Sequence, residues 1–115
     1  MSFDELLKTL SRDYLKSLPE KIQVIAGQIR AKDASNVRES FHKLKGTGKT
    51  YGFPEVSELA AVVESICIVQ PAVGLSAAAQ AIGVLEDIYR TRQSAQNYSL
   101  QADTRVEAIR KLLPS

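Results

Sequence analysis

The chain contains few of the residues that build disulfide-bonded, metal-binding or aromatic-lined proteins. Its 115 residues include one cysteine, one histidine and no tryptophan, and aromatic residues make up 6%. The single cysteine, Cys67, excludes an internal disulfide and is typical of a reducing compartment. One histidine and one cysteine supply no cluster of metal ligands, so we expect neither a metal nor another cofactor. The core must be built from Leu, Ile, Val and Ala.

A strong net charge and long apolar runs are also absent. The amino terminus, Met1 to Glu5, has no basic region followed by an apolar run, which excludes a secretory signal. No apolar stretch approaches the length of a membrane span. The net charge of +2 is too small to predict nucleic-acid binding, and most Lys and Arg residues alternate with Asp and Glu. We therefore expect a cytoplasmic protein that binds neither membranes nor nucleic acids.

Apolar residues repeat with a helical period along almost the whole chain, and strand-like alternation is absent. Capping signatures predict one helix starting at Ser2 and a second starting at Ser17, with Pro19 in its first turn. Asp33 is the predicted N-cap of the next helix, which runs to about Tyr51. Three further helices are predicted from their apolar positions, which are Val56, Leu59, Val63, Ile66 and Cys67, then Leu75, Ala78, Ile82, Leu85 and Tyr89, then Val106, Ile109 and Leu113.

Several amphipathic helices joined by short loops bury their apolar stripes most simply in an antiparallel bundle. A hydrophobic content of 44% in 115 residues is enough for one core without disulfides. The sequence therefore predicts an all-α fold in which residues 1–115 form a single domain. We expect an antiparallel up-and-down four-helix bundle with one or two accessory helices. A monomer is expected because all the stripes can be buried within one chain.

The only histidine, His42, lies in the predicted helix after Asp33. At about 100° per residue, its side chain points about 140° away from the middle of the apolar stripe, and so toward water. That stripe consists of Val37, Phe41, Leu44, Gly48 and Tyr51. The neighbours of His42 on the exposed face are Arg38, Lys45, Gly46 and Lys49. A neutral imidazole can attack phosphorus in line, and cations can then pair with the phosphoryl oxygens. The pattern thus suits carriage of a phosphoryl group.

The run His42-Lys43-Leu44-Lys45-Gly46, followed by Gly52, Leu59 and Glu64, resembles the signature of histidine-containing phosphotransfer (HPt) domains. That signature is His-x-Leu-Lys-Gly, a glycine ten positions after the histidine, and a leucine and a glutamate on the following helix. The segment from Tyr14 to Asp33 resembles the helix and acidic turn that precede it. The resemblance implies that His42 accepts the phosphoryl group, that Lys45 assists it, and that Gly46 leaves room for a receiver domain.

The partners that the resemblance implies are response-regulator receiver domains, a hybrid sensor histidine kinase, or both. A receiver would supply the aspartate and Mg²⁺, so we expect a phosphocarrier without kinase activity of its own. Helix geometry adds Arg38 and Lys49 as candidates for stabilising the phosphoryl group, although a plain solvated surface explains these two charges as well. Gly46, Lys43 and Glu39 are the predicted partner-docking residues.

Other interpretations use the same residues. A helical adaptor would dock on receiver domains without being phosphorylated, but such a protein has no need to keep His42. The segment Gly48-Lys49-Thr50 matches the end of a phosphate-binding P-loop, yet Lys43 stands where that motif requires a glycine, and no strand precedes it. Phosphoryl carriage remains the leading hypothesis.

Overall fold

A computed structural model describes residues 2–114, so Met1 and Ser115 lie outside the described residues. Within this range the chain forms five α-helices and no strand, which confirms the predicted all-α class. The helices are α1 (Phe3–Arg30), α2 (Ala34–Thr50), α3 (Pro54–Val69), α4 (Pro71–Gln93) and α5 (Thr104–Arg110), and a 3₁₀ turn at Leu100–Ala102 precedes α5. Among the described residues, no helix is both long enough and apolar enough to cross a membrane.

Helix α1 is one continuous helix of 28 residues, so the predicted break at Ser17 is wrong. The Ser17 hydroxyl donates to the Tyr14 carbonyl at 2.7 Å instead of capping a new helix, and Pro19 lies in the helix interior. A proline there removes a backbone hydrogen bond, but burial of one continuous face outweighs that loss. The predicted start is confirmed, because the Ser2 hydroxyl accepts from the Glu5 amide at 3.1 Å. The buried face consists of Tyr14, Leu18, Ile22 and Ile25.

The turn between α2 and α3 follows from one glycine and one proline. Gly52 has a φ of +91°, a left-handed conformation that residues with a side chain rarely adopt, and Pro54 is the first residue of α3. At its other end α2 begins as predicted, since the Asp33 carboxylate accepts from the Asn36 amide at 3.2 Å. The turn sends α3 back antiparallel along α2, so that residue 49 lies beside residue 57.

The α2–α3 hairpin is held together by unusually close backbone packing at Gly48. A Cβ atom at this position would lie 2.9 Å from the backbone nitrogen of Ser57. The Ser57 hydroxyl accepts from the Lys49 amide at 2.5 Å and donates to the Lys45 carbonyl at 2.7 Å. These contacts fix the register of the two helices, and therefore decide which α3 side chains lie opposite the exposed face of α2.

Helix α4 packs against α3 through small residues. Its Gly74 lies so close to Cys67 that an added Cβ would be 2.6 Å from the Cys67 Cα. This close approach turns the buried face of α4 away from the five predicted apolar positions. Only Ala78 and Leu85 of these are buried, while Leu75, Ile82 and Tyr89 are half-buried. The observed face consists of Gly74, Ala77, Ala78, Ala81, Val84, Leu85 and Ile88.

Ion pairs tie the carboxyl end of α4 to the rest of the chain. The Arg92 guanidinium binds the buried Glu55 carboxylate through two 2.8 Å hydrogen bonds, donates to the Gly52 carbonyl at 2.8 Å, and stacks over the Phe53 ring. Arg105 at the start of α5 reaches back to Asp87 of α4 at 2.6 Å. Arg92 thereby holds the α2–α3 turn against the end of α4, and Arg105 holds α5 against the same helix.

We predict that Gly48→Ala and Gly46→Ala change stability in opposite directions. The methyl group at position 48 collides with backbone, which should lower the free energy of unfolding by about 1–3 kcal/mol. At position 46 an added Cβ meets nothing within 4 Å. The better helix propensity of alanine should therefore raise the free energy of unfolding by up to about 1 kcal/mol. Urea unfolding of the two variants measures both values, and equal effects would contradict the close approach at Gly48.

Candidate functional site

The imidazole of His42 projects from α2 into solvent. Its side chain is 59% exposed, which confirms the orientation predicted from the helical period. Four members of the predicted stripe, Val37, Phe41, Leu44 and Gly48, are buried on the opposite face of α2, and Tyr51 is half-buried just after the helix ends.

A buried carboxylate on α3 contacts both His42 and Lys45. The Glu64 side chain is only 10% exposed, and its Oε2 lies 2.5 Å from His42 Nδ1. Its Oε1 accepts from the Lys45 ammonium group, also at 2.5 Å. Each carboxylate oxygen thus has one partner, and both partners come from neighbouring turns of α2. The negative charge of the buried Glu64 carboxylate is therefore compensated by partners within the protein.

These contacts keep Glu64 ionised. Burial alone raises the pKa of the Glu64 carboxyl, but the hydrogen bonds and charges of Lys45 and His42 outweigh it, and the net pKa lies below the usual range. An ionised carboxylate can only accept hydrogen bonds. His42 Nδ1 must therefore be the donor in the 2.5 Å contact.

The hydrogen bond from Nδ1 decides which ring nitrogen is reactive. With the proton on Nδ1, a neutral imidazole carries its free lone pair on Nε2. Within residues 2–114, no group forms a hydrogen bond with Nε2. The site therefore presents a nucleophilic nitrogen of fixed orientation on an exposed helical face.

Comparison with family models gives a match to the Hpt domain over residues 9–114, nearly the whole chain. The chain belongs to the Hpt domain family. Comparisons with curated proteins and with solved structures found no match. Membership implies histidine phosphotransfer in phosphorelays, and Hpt domains act as phosphocarriers that interact with receiver domains and kinases.

Gly46 lies one turn beyond His42 on the exposed face of the Hpt domain. Nothing in the described chain comes within 4 Å of a Cβ built at this position. The fold itself therefore does not require a glycine here, although an interior helical glycine costs about 1 kcal/mol relative to alanine. The open space is consistent with the hypothesis that a partner approaches closely beside the imidazole.

The remaining predicted residues surround His42 without contacting Glu64. Arg38 and Lys49 are exposed on α2, and neither forms an ion pair within the part of the chain that the structure describes. Helical rise places them about 6 Å and 10 Å from His42 along the axis. Lys43 and Glu39 are exposed on the other flank of the imidazole, where Lys43 lines a groove between α1 and α2. Of the predicted cations, only Lys45 is joined to the histidine through a shared partner.

Glu64 is the site residue whose role the sequence did not reveal. Glu64 belongs to the family signature, but helix geometry predicts only three cations and a glycine as the neighbours of His42. The sequence contains a signal for this contact, because the turn residue Gly52 lies about midway between His42 and Glu64. In an antiparallel pair of helices, residues equally far from the turn lie beside each other. The structure also shows two exposed apolar side chains near this end of α3, Ile68 and Val69, at 60% and 56% exposure.

We predict that Glu64 stabilises the fold only above acidic pH. Because its folded-state pKa is lowered, its contribution is complete above the ordinary value of 4.5 and is lost as the pH falls through the folded-state pKa. The difference in unfolding free energy between wild type and Glu64→Gln should therefore shrink as the pH falls below that value. The matched control is Glu58→Gln, an exposed position on the same helix. A difference that stays constant down to acidic pH would contradict the assignment.

Proposed function

We propose that this Hpt domain is a phosphorelay intermediate that accepts a phosphoryl group on His42 from a receiver-domain aspartate and passes it to another receiver. The observation that supports this proposal most strongly is the exposed imidazole, whose Nδ1 is held by the buried Glu64 carboxylate at 2.5 Å. An arbitrary surface histidine has no reason to be oriented by a buried charge. A nucleophile benefits from that orientation, because attack requires a defined lone-pair direction.

The proposed transfer needs no proton movement at His42. The Nε2 lone pair attacks the phosphorus of the aspartyl phosphate, a P–N bond forms, and the P–O bond breaks with its electron pair returning to the aspartate carboxylate. The ring keeps its Nδ1 proton, so positive charge develops on the imidazole. Glu64 lies where it stabilises that charge. Transfer to the second receiver is the reverse of this step.

Lys45 is the proposed partner of the phosphoryl oxygens. Its side chain is 41% exposed, and its ammonium group has donors to spare beyond the bond to Glu64. Glu64 holds Lys45 beside His42 before the phosphoryl group arrives. This lowers the entropic cost of ordering the lysine side chain during transfer. Arg38 and Lys49 would add weaker, solvent-screened attraction from neighbouring turns.

The proposed docking surface for the receiver surrounds His42. Gly46, Lys43 and Glu39 flank it on α2, and Ile68 supplies an exposed apolar side chain one helical turn after Glu64. An apolar contact beside charged groups is typical of a specific interface. A receiver domain, free or within a hybrid sensor kinase, would bring the aspartate and Mg²⁺ to this surface.

We also propose the finer architecture behind this role. Helices α1 to α4 would form the antiparallel four-helix bundle of a single Hpt domain, and α5 would be its accessory helix. Such a domain would carry the phosphoryl group without kinase activity of its own. The single cysteine of the sequence favours a cytoplasmic location for the relay.

The direct test is intact mass after incubation with a phosphorylated receiver domain and Mg²⁺. Wild type should gain one acid-labile phosphoryl group, and His42→Gln should gain none while keeping its helical circular dichroism spectrum. Transfer to the His42→Gln variant would refute the assignment of this residue. A folded wild type that gains no mass with any of several receivers would favour the adaptor interpretation.

The role of Lys45 predicts a selective loss of rate. Lys45→Met should slow phosphorylation about tenfold or more, since a charge-assisted hydrogen bond is worth about 1.5 kcal/mol or more. The control is Lys16→Met, which removes an exposed lysine from α1. Initial rates measured by phosphate-affinity electrophoresis should be unchanged in the control, and equal rates in the two variants would argue against a role for Lys45.

A further inference from the structure

The first turns of α1 carry an apolar stripe that the described part of the chain leaves exposed in part. Its most exposed member, Phe3, is 73% accessible to solvent, and its least exposed, Leu10, is still 37% accessible. The same helical face continues into the buried Tyr14 and Leu18. The full uncovered set, called here the α1 stripe, is Phe3, Leu6, Leu7 and Leu10.

The stripe is uncovered because α1 extends past the end of the helices on which it packs. The Ser11 hydroxyl donates to the Tyr51 carbonyl at 2.6 Å, and this is the hydrogen bond nearest the start of α1 that joins it to another described helix or turn. The eight residues from Phe3 to Leu10 therefore project about 12 Å beyond it. Four large apolar side chains on one face of a projecting helix indicate an interaction surface.

The charges beside the stripe distinguish between possible occupants. This segment carries Asp4 and Glu5 in its first turn and Lys8 and Arg12 further along, and none of them forms an ion pair with a described residue. Helices that lie on membranes carry mainly Lys and Arg on their polar face. A balanced segment that begins with two acids does not fit a membrane surface.

A second copy of the chain fits the charges better. Asp4 and Lys8 lie on the same flank of the stripe, one turn apart. Two such helices laid antiparallel set the same flanks of the two copies together, which brings Asp4 of each copy near Lys8 of the other. The antiparallel arrangement also places Phe3 opposite Leu10 and Leu6 opposite Leu7, so the stripe is complementary to itself, as a two-fold interface requires.

We propose that residues 3–10 of α1 form a self-association surface through which two copies of this chain pair antiparallel. The monomer expected from the sequence assumed that every apolar stripe is buried within one chain, and the α1 stripe does not meet that condition. The pairing leaves the phosphoryl site free. The Ser40 hydroxyl donates to the Gln28 side chain at 2.8 Å, which places His42 close to the level of Gln28 along α1. That level is about 25 Å along the axis from Leu10.

The first test is sedimentation equilibrium of the full chain over increasing concentration up to about 1 mM, because a contact this small predicts weak association. The apparent mass of wild type should rise above 12.6 kDa toward twice that value. Leu7→Glu combined with Leu10→Glu should stay at the monomer mass, and the control Val24→Glu, at another exposed apolar position of α1, should behave as wild type. A wild type that stays monomeric throughout overturns the proposal.

The second test reads the orientation by oxidative cross-linking of single cysteines in a Cys67→Ala background. Leu7→Cys lies next to the two-fold axis of the antiparallel pair and should form a disulfide-linked dimer, whereas Phe3→Cys should not. Cross-linking at both positions would indicate a parallel pair, and cross-linking at neither would place any dimer contact elsewhere. Binding of monomeric wild type to vesicles of phosphatidylserine and phosphatidylcholine would instead identify a lipid surface, and would also overturn the proposal.

Discussion

The carboxylate of Glu64 binds two side chains of the neighbouring helix, and the chemistry of the site depends on that shared contact. Through His42 Nδ1 it selects the ring nitrogen that faces solvent, and through Lys45 it holds a cation beside that nitrogen. The contact exists only in one register of the α2–α3 hairpin, because each residue of slip turns a helical side chain by about 100°. Gly48, Ser57 and the left-handed Gly52 fix that register. Packing in the hairpin and reactivity of the histidine are therefore two results of the same geometry.

Local signals predicted much of the fold. The caps at Ser2 and Asp33, the end of α2 near Tyr51 and the buried stripe of α2 all follow from neighbouring residues, and the structure confirms them. The errors arose where distant contacts override local ones. Pro19 resembled a helix start, but the long buried face of α1 carries the helix through it. The buried face predicted for α4 is rotated from the observed one because Gly74 allows an approach to Cys67 that no single-helix pattern reveals.

The features of the site also fall into two groups, those set by one helix and those that need contacts between helices. The outward direction of His42 and the nearness of Lys45 are properties of one helix, so the sequence alone supplied them. The pairing with Glu64 is a property of two helices and needs the hairpin register. The roles of Arg38, Lys49, Lys43 and Glu39 remain predictions, since no ion pair or side-chain hydrogen bond within the described residues positions these exposed side chains. The uncovered α1 stripe was hidden for a related reason, because periodicity identifies an apolar face without telling what covers it.

The most direct measurement of the central claim is the tautomer of His42, read from two-bond nitrogen–proton correlations in the NMR spectrum of the ¹⁵N-labelled protein at a pH where the ring is neutral. Because this is the only histidine, its signals need no further assignment. The account predicts a proton on Nδ1 and an unprotonated Nε2 in wild type, with that preference weakened in Glu64→Gln. A neutral ring that carries its proton mainly on Nε2 would contradict it.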